Sequence, residues 1–121
     1  MVRQERFNTR DLLYSNWHRT LPDFCYMIDL DCVEWRSDRG IVAFIETALI
    51  DYNQNISSQL DTKTFEVKVL YELFKRTDIK TFIVFYNQEL TTFWIFSLIE
   101  GKTQWWQTIG KADYEKWIQS L

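Results

Sequence analysis

The stretch YMIDLDCVEWRSDRGIVAFIETA, from Tyr26 to Ala48, decides how this chain folds. Two apolar-rich runs flank Ser37-Asp38-Arg39-Gly40, a polar turn ending in glycine, which is the pattern of a β-hairpin. Strands are expected near 25–36 and 41–50. Asp29, Asp31, Val33 and Trp35 share a parity, so on a strand they point to one face. With Arg36 paired to Ile41, Asp31 falls opposite Glu46 and Asp29 opposite Ala48. Side chains opposed in this way sit about 5 Å apart at Cβ, and like charges there are destabilising. A buried carboxylate pair persists only with a cation, a shared proton or water. A divalent ion held by Asp31 and Glu46, with Asp29 nearby, is the sharpest reading of the cluster. The plainer reading is two acids on a solvated edge strand opposite a surface glutamate. Residues 41–45 are apolar on both faces just before Glu46, the mark of a central strand covered from both sides, and this favours the sharper reading.

Working outward, the first twenty residues have a helical pattern, with Asn8 or Thr9 as cap and Leu12, Leu13 and Trp17 on one face. Leu21-Pro22-Asp23 ends it. Residues 51–58 are polar and read as a loop, and a helix is expected over 61–76, capped by Asp61 and carrying Val67, Leu70 and Phe74 on its apolar stripe. Strands follow at 80–86 and 91–99, then a short extended piece with Trp105 and Trp106, and a last helix over 111–121. Tyr114, Trp117, Ile118 and Leu121 share one face of that helix. The order is α-β-β-α-β-β-α, an α/β fold in which a central mixed sheet is flanked by helices. The 121 residues make one domain, large enough to bury about two-thirds of its unfolded surface.

Composition narrows the function. A net charge of −3 and a pI near 5.1 argue against a generally basic nucleic-acid binder and leave room only for a local basic patch. Aromatic residues reach 17%, more than a small core uses, so part of them is expected at an interface. The group Trp94, Trp105, Trp106 and Trp117 is read as core plus homodimer surface in preference to base stacking. Cys25 and Cys32 are too far apart along one strand to be bridged, and no Cys/His cluster suggests zinc. The N-terminus lacks a signal-peptide core and no apolar run reaches about 18 residues, so a cytosolic chain without a membrane partner is expected. Serine or cysteine catalysis needs a histidine, and His18 is the only one.

An acid on one strand, then a turn, an apolar strand and a glutamate is the core pattern of the PD-(D/E)xK nuclease superfamily. This chain resembles it over most of its length, in element order and in the D-x-D, turn, apolar strand, Glu arrangement. The resemblance implies a restriction-endonuclease-like fold and Mg²⁺ or Mn²⁺ bound by Asp31 and Glu46, with Asp29 as a ligand or supporting base. It further implies hydrolysis of DNA phosphodiesters, junction-resolving or restriction-like, often by dimers. The family's lysine belongs two residues after the glutamate, and that slot holds Ala48. Three explanations stand side by side. Lys63 or Lys68 on the following helix supplies the charge; Ala48 replaces a natural lysine; or the domain is an inactive relative serving as an adaptor through its aromatic surface.

Other candidates sit around this cluster. His18 and Arg19 could contact phosphate, with Arg10, Arg36 and Arg39 completing a rim. Glu34 is of opposite parity and is expected to pair with Arg36 rather than to bind an ion. Glu5 and Asp11 lie near the first helix, with nothing local to recommend either.

Overall fold

The computed structural model describes residues 12–50, 55–99 and 102–121, with 99 and 102–107 described by their backbone alone. The hairpin forms as expected, from β1 (Cys32–Arg36) and β2 (Gly40–Leu49). Its turn is tighter than the expected one. Arg36 pairs with Gly40, the Arg39 N–H donates to the Arg36 carbonyl at 3.2 Å, and Gly40 takes φ +78°. A left-handed residue after a tight turn is a position glycine occupies without steric penalty. A bulge between Glu34 and Trp35 then absorbs one residue of β2, and from Glu34↔Ala43 to Cys32↔Ile45 the pairing is the expected one. The ladder stops at Cys32. Residues 25–31, expected as strand, are irregular, so Asp29 is not paired with Ala48.

A single sheet of five strands runs in the order β1-β2-β3-β4-β5, with β3 (Lys80–Tyr86), β4 (Thr92–Ile99) and β5 (Lys102–Gly110). Only β2 and β3 are parallel. A parallel pair needs a crossover, and α2 (Ile56–Asp61) and α3 (Thr64–Thr77) supply it. The helix expected over 61–76 forms as α3, and the short α2 precedes it. Asn55 caps α2, its Oδ1 accepting the Ser57 N–H at 2.8 Å, inside the stretch expected as loop. Asp61 ends α2 instead of capping α3. Asp78 closes α3 in the left-handed conformation, a place where aspartate is tolerated. The extended piece expected around Trp105 is the full edge strand β5.

Strand parity divides the core in two. Ala43, Ile45, Phe82, Val84, Phe93 and Ile95 face α4 (Lys111–Ser120), where Trp117 is buried and Tyr114, Ile118 and Leu121 pack as expected. Ile50, Ile83, Phe85, Phe96 and Leu98 face α3 around Leu70, which is fully buried, with Trp94 and Ala48 packed at the margin. The β2 and β3 segments alternate between these two cores, which is why both read as continuous apolar runs. Trp94 and Trp117 are therefore core residues. The side chains of Trp105 and Trp106 lie outside the description. α1 (Leu12–His18) departs from expectation, for Leu12, Leu13 and Trp17 are exposed. Its proposed caps Asn8 and Thr9, and Glu5, Arg10 and Asp11, lie outside the described residues. Cys25 and Cys32 are not joined in a disulfide. Among the described residues, no helix is long and apolar enough to cross a membrane.

Candidate functional site

Among the described residues, Glu46 is the one acid the fold buries. It sits in β2 between β1 and β3, beside Ile83, with 7% of its surface exposed. Its parity turns it to the α3 side of the sheet, the side that carries Ile83, Phe85 and Ala48. One residue beyond the last hairpin pair, Asp31 faces it. Asp31 completes the ladder with its side chain, since Oδ2 accepts the Thr47 N–H at 3.0 Å and the Thr47 hydroxyl at 3.4 Å. Those two donors fix the carboxylate of Asp31 where it also meets the Glu46 carboxyl.

Lys63 closes the group. It stands immediately before α3, and its Nζ lies 3.5 Å from Glu46 Oε1. The site thus has one carboxyl from β2, one from the residue just before β1, and one ammonium delivered by the crossover. Of the two lysines expected as candidates, Lys63 is the one that meets Glu46. Lys68, the other candidate, is exposed on α3 and forms no ion pair among those described.

The electrostatics follow from this packing. The Glu46 carboxyl is pushed up to about 7, first by burial, then by the charge of Asp31 and the hydrogen bond between the two carboxyls, against the opposing pull of Lys63. With its value raised to about 7, the Glu46 carboxyl gives up its proton near neutral pH, and an incoming cation would displace it. The oxygens of Asp31 and Glu46 are hard donors of the kind Mg²⁺ and Mn²⁺ prefer. Among the described residues no group of three or more His, Cys, Asp or Glu side chains comes together as a metal site.

The remaining candidates separate. Asp29 is exposed in the irregular segment, and the charges acting on Glu46 are those of Asp31 and Lys63. Ala48 lies on the Glu46 face, packed against the α3-side core. Arg36 is not at this site. It pairs with Glu34 at 3.1 Å and donates to the Ile118 carbonyl at 2.5 Å, at the C-terminal end of α4 on the opposite face of the sheet. Its expected place in a phosphate rim is corrected accordingly, whereas the Glu34–Arg36 pair is as expected. Arg39 pairs with Asp38 in the turn. His18 and Arg19 line a separate cleft of about 350 Å³ between α1 and residues 21–27. One wall of that cleft is Tyr26, whose ring lies 5.0 Å from Phe65, two residues beyond Lys63. Thr47 and the Tyr26–Phe65 contact were not legible in the sequence. Thr47 acts through its backbone, and Tyr26 meets Phe65 across 39 residues of chain.

No protein-family model matches this chain, and no curated protein or solved structure matches it.

Proposed function

We propose that this protein is a divalent-metal-dependent phosphodiesterase acting on DNA, with Asp31 and Glu46 as metal ligands and Lys63 as the catalytic cation. The observation that carries this reading is the triad itself: two carboxyls in contact and an ammonium 3.5 Å from the buried one. The donor chemistry fits Mg²⁺ or Mn²⁺, because the buried Glu46 carboxyl, set beside the exposed Asp31, gains when a cation replaces its proton. Such an ion, when bound, polarises a phosphoryl oxygen and lowers the pKa of an attacking water. Thr47 holds Asp31 in place, burial holds Glu46, and Lys63 sets a fixed positive charge where the phosphate gains negative charge. A lysine arriving from the crossover helix does the work of the one missing at position 48. The hairpin, the parallel β2–β3 pair and the helical crossover support a restriction-endonuclease-like arrangement. Two cysteines not joined in a disulfide, Cys25 and Cys32, suit a cytosolic setting.

Mn²⁺-dependent cleavage of plasmid and branched DNA tests this. Asp31→Asn should abolish it, since the amide keeps the shape and removes the charge. Cleavage at the unmodified rate by that variant would refute the assignment.

A second reading, an assembly or adaptor module that forms a homodimer, draws on β1. Val33 and Trp35 are exposed on this edge strand, and an exposed tryptophan on a sheet edge is interface-like.

A further inference from the structure

We infer that β1 is the seat of a two-fold homodimer, in which two copies of the strand pair antiparallel about Trp35 and join their sheets into one. This rests on the assembly reading, whose homodimer it gives an interface and a register, and it requires no metal. Among the described strands β1 lies at one edge of the sheet. Val33 stands opposite Phe44, which shares its parity with Glu46, so Val33 and Trp35 lie on the α3 side. Ile41, across the hairpin from Trp35, joins them there. Trp35 exposes 56% of its surface, and Val33 and Ile41 expose 45% each. A tryptophan flanked by two aliphatic side chains, all open to solvent, has the composition of an interface centre.

The backbone limits how two copies can pair, and charge then selects among the choices. The Arg36 carbonyl accepts the Arg39 N–H inside the hairpin, so Arg36, Glu34 and Cys32 turn their backbone groups to β2. Val33 and Trp35 turn theirs to the outer edge. The Trp35 carbonyl accepts Arg36 Nη1 at 3.1 Å and keeps a second lone pair for another donor. A two-fold antiparallel pair matches outward residues with one another, which allows three registers. Val33 opposite Trp35 sets Glu34 against Glu34, a like-charge contact. Val33 opposite Val33 sets Asp31, already held by Thr47, against Trp35 and leaves Arg36 beyond the strand. Trp35 opposite Trp35 sets each Glu34 against the second copy's Arg36. Glu34 and Arg36 lie on the α4 side and pair at 3.1 Å within one chain, so two copies form a ring of four alternating charges. On the other face the two Trp35 rings meet. Short strands and edge charges commonly guard an edge against pairing. Here the two charges are opposite in sign and two residues apart, so they exclude one register and favour another. Only residues 34–36 pair fully, which makes the dimer a weak one of the transient class. Its two-fold axis is perpendicular to the joined sheet, and both carboxyl–lysine sites lie on one face.

Sedimentation equilibrium in chelator, over about 1–500 μM protein, tests this. The unmodified chain should show a monomer–dimer equilibrium, and Trp35→Ala should weaken it at least about tenfold. Glu34→Arg sets like charges opposite each other at both ends of the ladder, and so does Arg36→Glu. Each alone should weaken the dimer at least about tenfold. An equimolar mixture of these two variants, each shown to be folded by circular dichroism, restores opposite charges at both ends and should form a mixed dimer about as tight as the unmodified one. A mixture that stays monomeric would overturn the register. A dimer unaffected by Trp35→Ala and by both charge reversals would overturn the inference alone and place self-association elsewhere on the chain. A monomer at every concentration would overturn the inference and the homodimer of the assembly reading together, leaving the edge to a strand of another protein. Chelator removes divalent ions, so none of these outcomes depends on metal binding at Asp31 and Glu46.

Discussion

Glu46→Gln should make the protein more stable without metal and lose most of that advantage with it. The Glu46 carboxyl titrates near 7 in the folded chain and near its ordinary value of 4.5 when unfolded. A raised folded value means that the stabilisation is fully present below pH 4.5 and is lost as pH rises to about 7. Above that range the unmodified chain carries a charge in a place that disfavours it, and glutamine does not. The difference amounts to about 3 kcal/mol, or roughly 10 °C in Tm, at pH 8 in chelator, and should vanish near pH 4. Lys63 loses its partner in the variant, yet its ammonium retains some access to water, so the loss is small beside the gain. With Mn²⁺ at about one hundred times its Kd, the unmodified chain gains about 2.7 kcal/mol and the variant gains nothing, which closes most of the gap. Thermal unfolding at pH 4 and pH 8, with and without Mn²⁺, reads all four conditions. A variant stabilised by Mn²⁺ to the same extent as the unmodified chain would remove Glu46 from the ligand set.

Lys63→Ala should reduce Mn²⁺-dependent cleavage by about 10²–10³, the typical loss when one fixed stabilising group is removed from a reaction centre. Metal binding should survive, because the ammonium repels a cation. The same background allows a stronger test at position 48. Ala48 shares its face with Glu46 and packs against the α3-side core, so a lysine there would lay its stem along Leu70 and Ile83 and bring its ammonium toward the carboxyl pair. The extra methylenes cost about 1–3 kcal/mol of stability. Lys63→Ala with Ala48→Lys should recover much of the lost rate in a DNA-cleavage assay. Full activity in Lys63→Ala alone would show that the ammonium has no part in the chemistry.

The hairpin and its acids were legible because period-2 patterning and a Gly-terminated turn carry their own geometry. Asp31 comes to face Glu46 even though the turn closes one residue earlier than expected, because the bulge at Glu34/Trp35 restores the register. A local irregularity of that kind has no sequence mark. Asp29 fell away for a related reason. Parity places side chains only while the ladder lasts, and it ends at Cys32. Lys63 could be named only as one of two lysines, since the break between α2 and α3 decides which faces the sheet. Arg36 looked like a neighbour of the site by sequence distance, but a hairpin strand has two faces, and Glu34 with the end of α4 draws it to the other one. The apolar stripe of α4 was readable because it packs on the sheet, whereas Leu12, Leu13 and Trp17 show the same periodicity on an exposed face.

Calorimetric titration of Mn²⁺ into the unmodified chain and into Asp31→Ala, at pH 6 and pH 8, bears on the carboxyl pair without requiring a substrate. Asp31 and Glu46 as ligands require saturable binding, tighter at pH 8 than at pH 6 because the Glu46 proton must leave, and abolished by Asp31→Ala. Mn²⁺ heat that persists unchanged in Asp31→Ala, or no binding by the unmodified chain at pH 8, would contradict it.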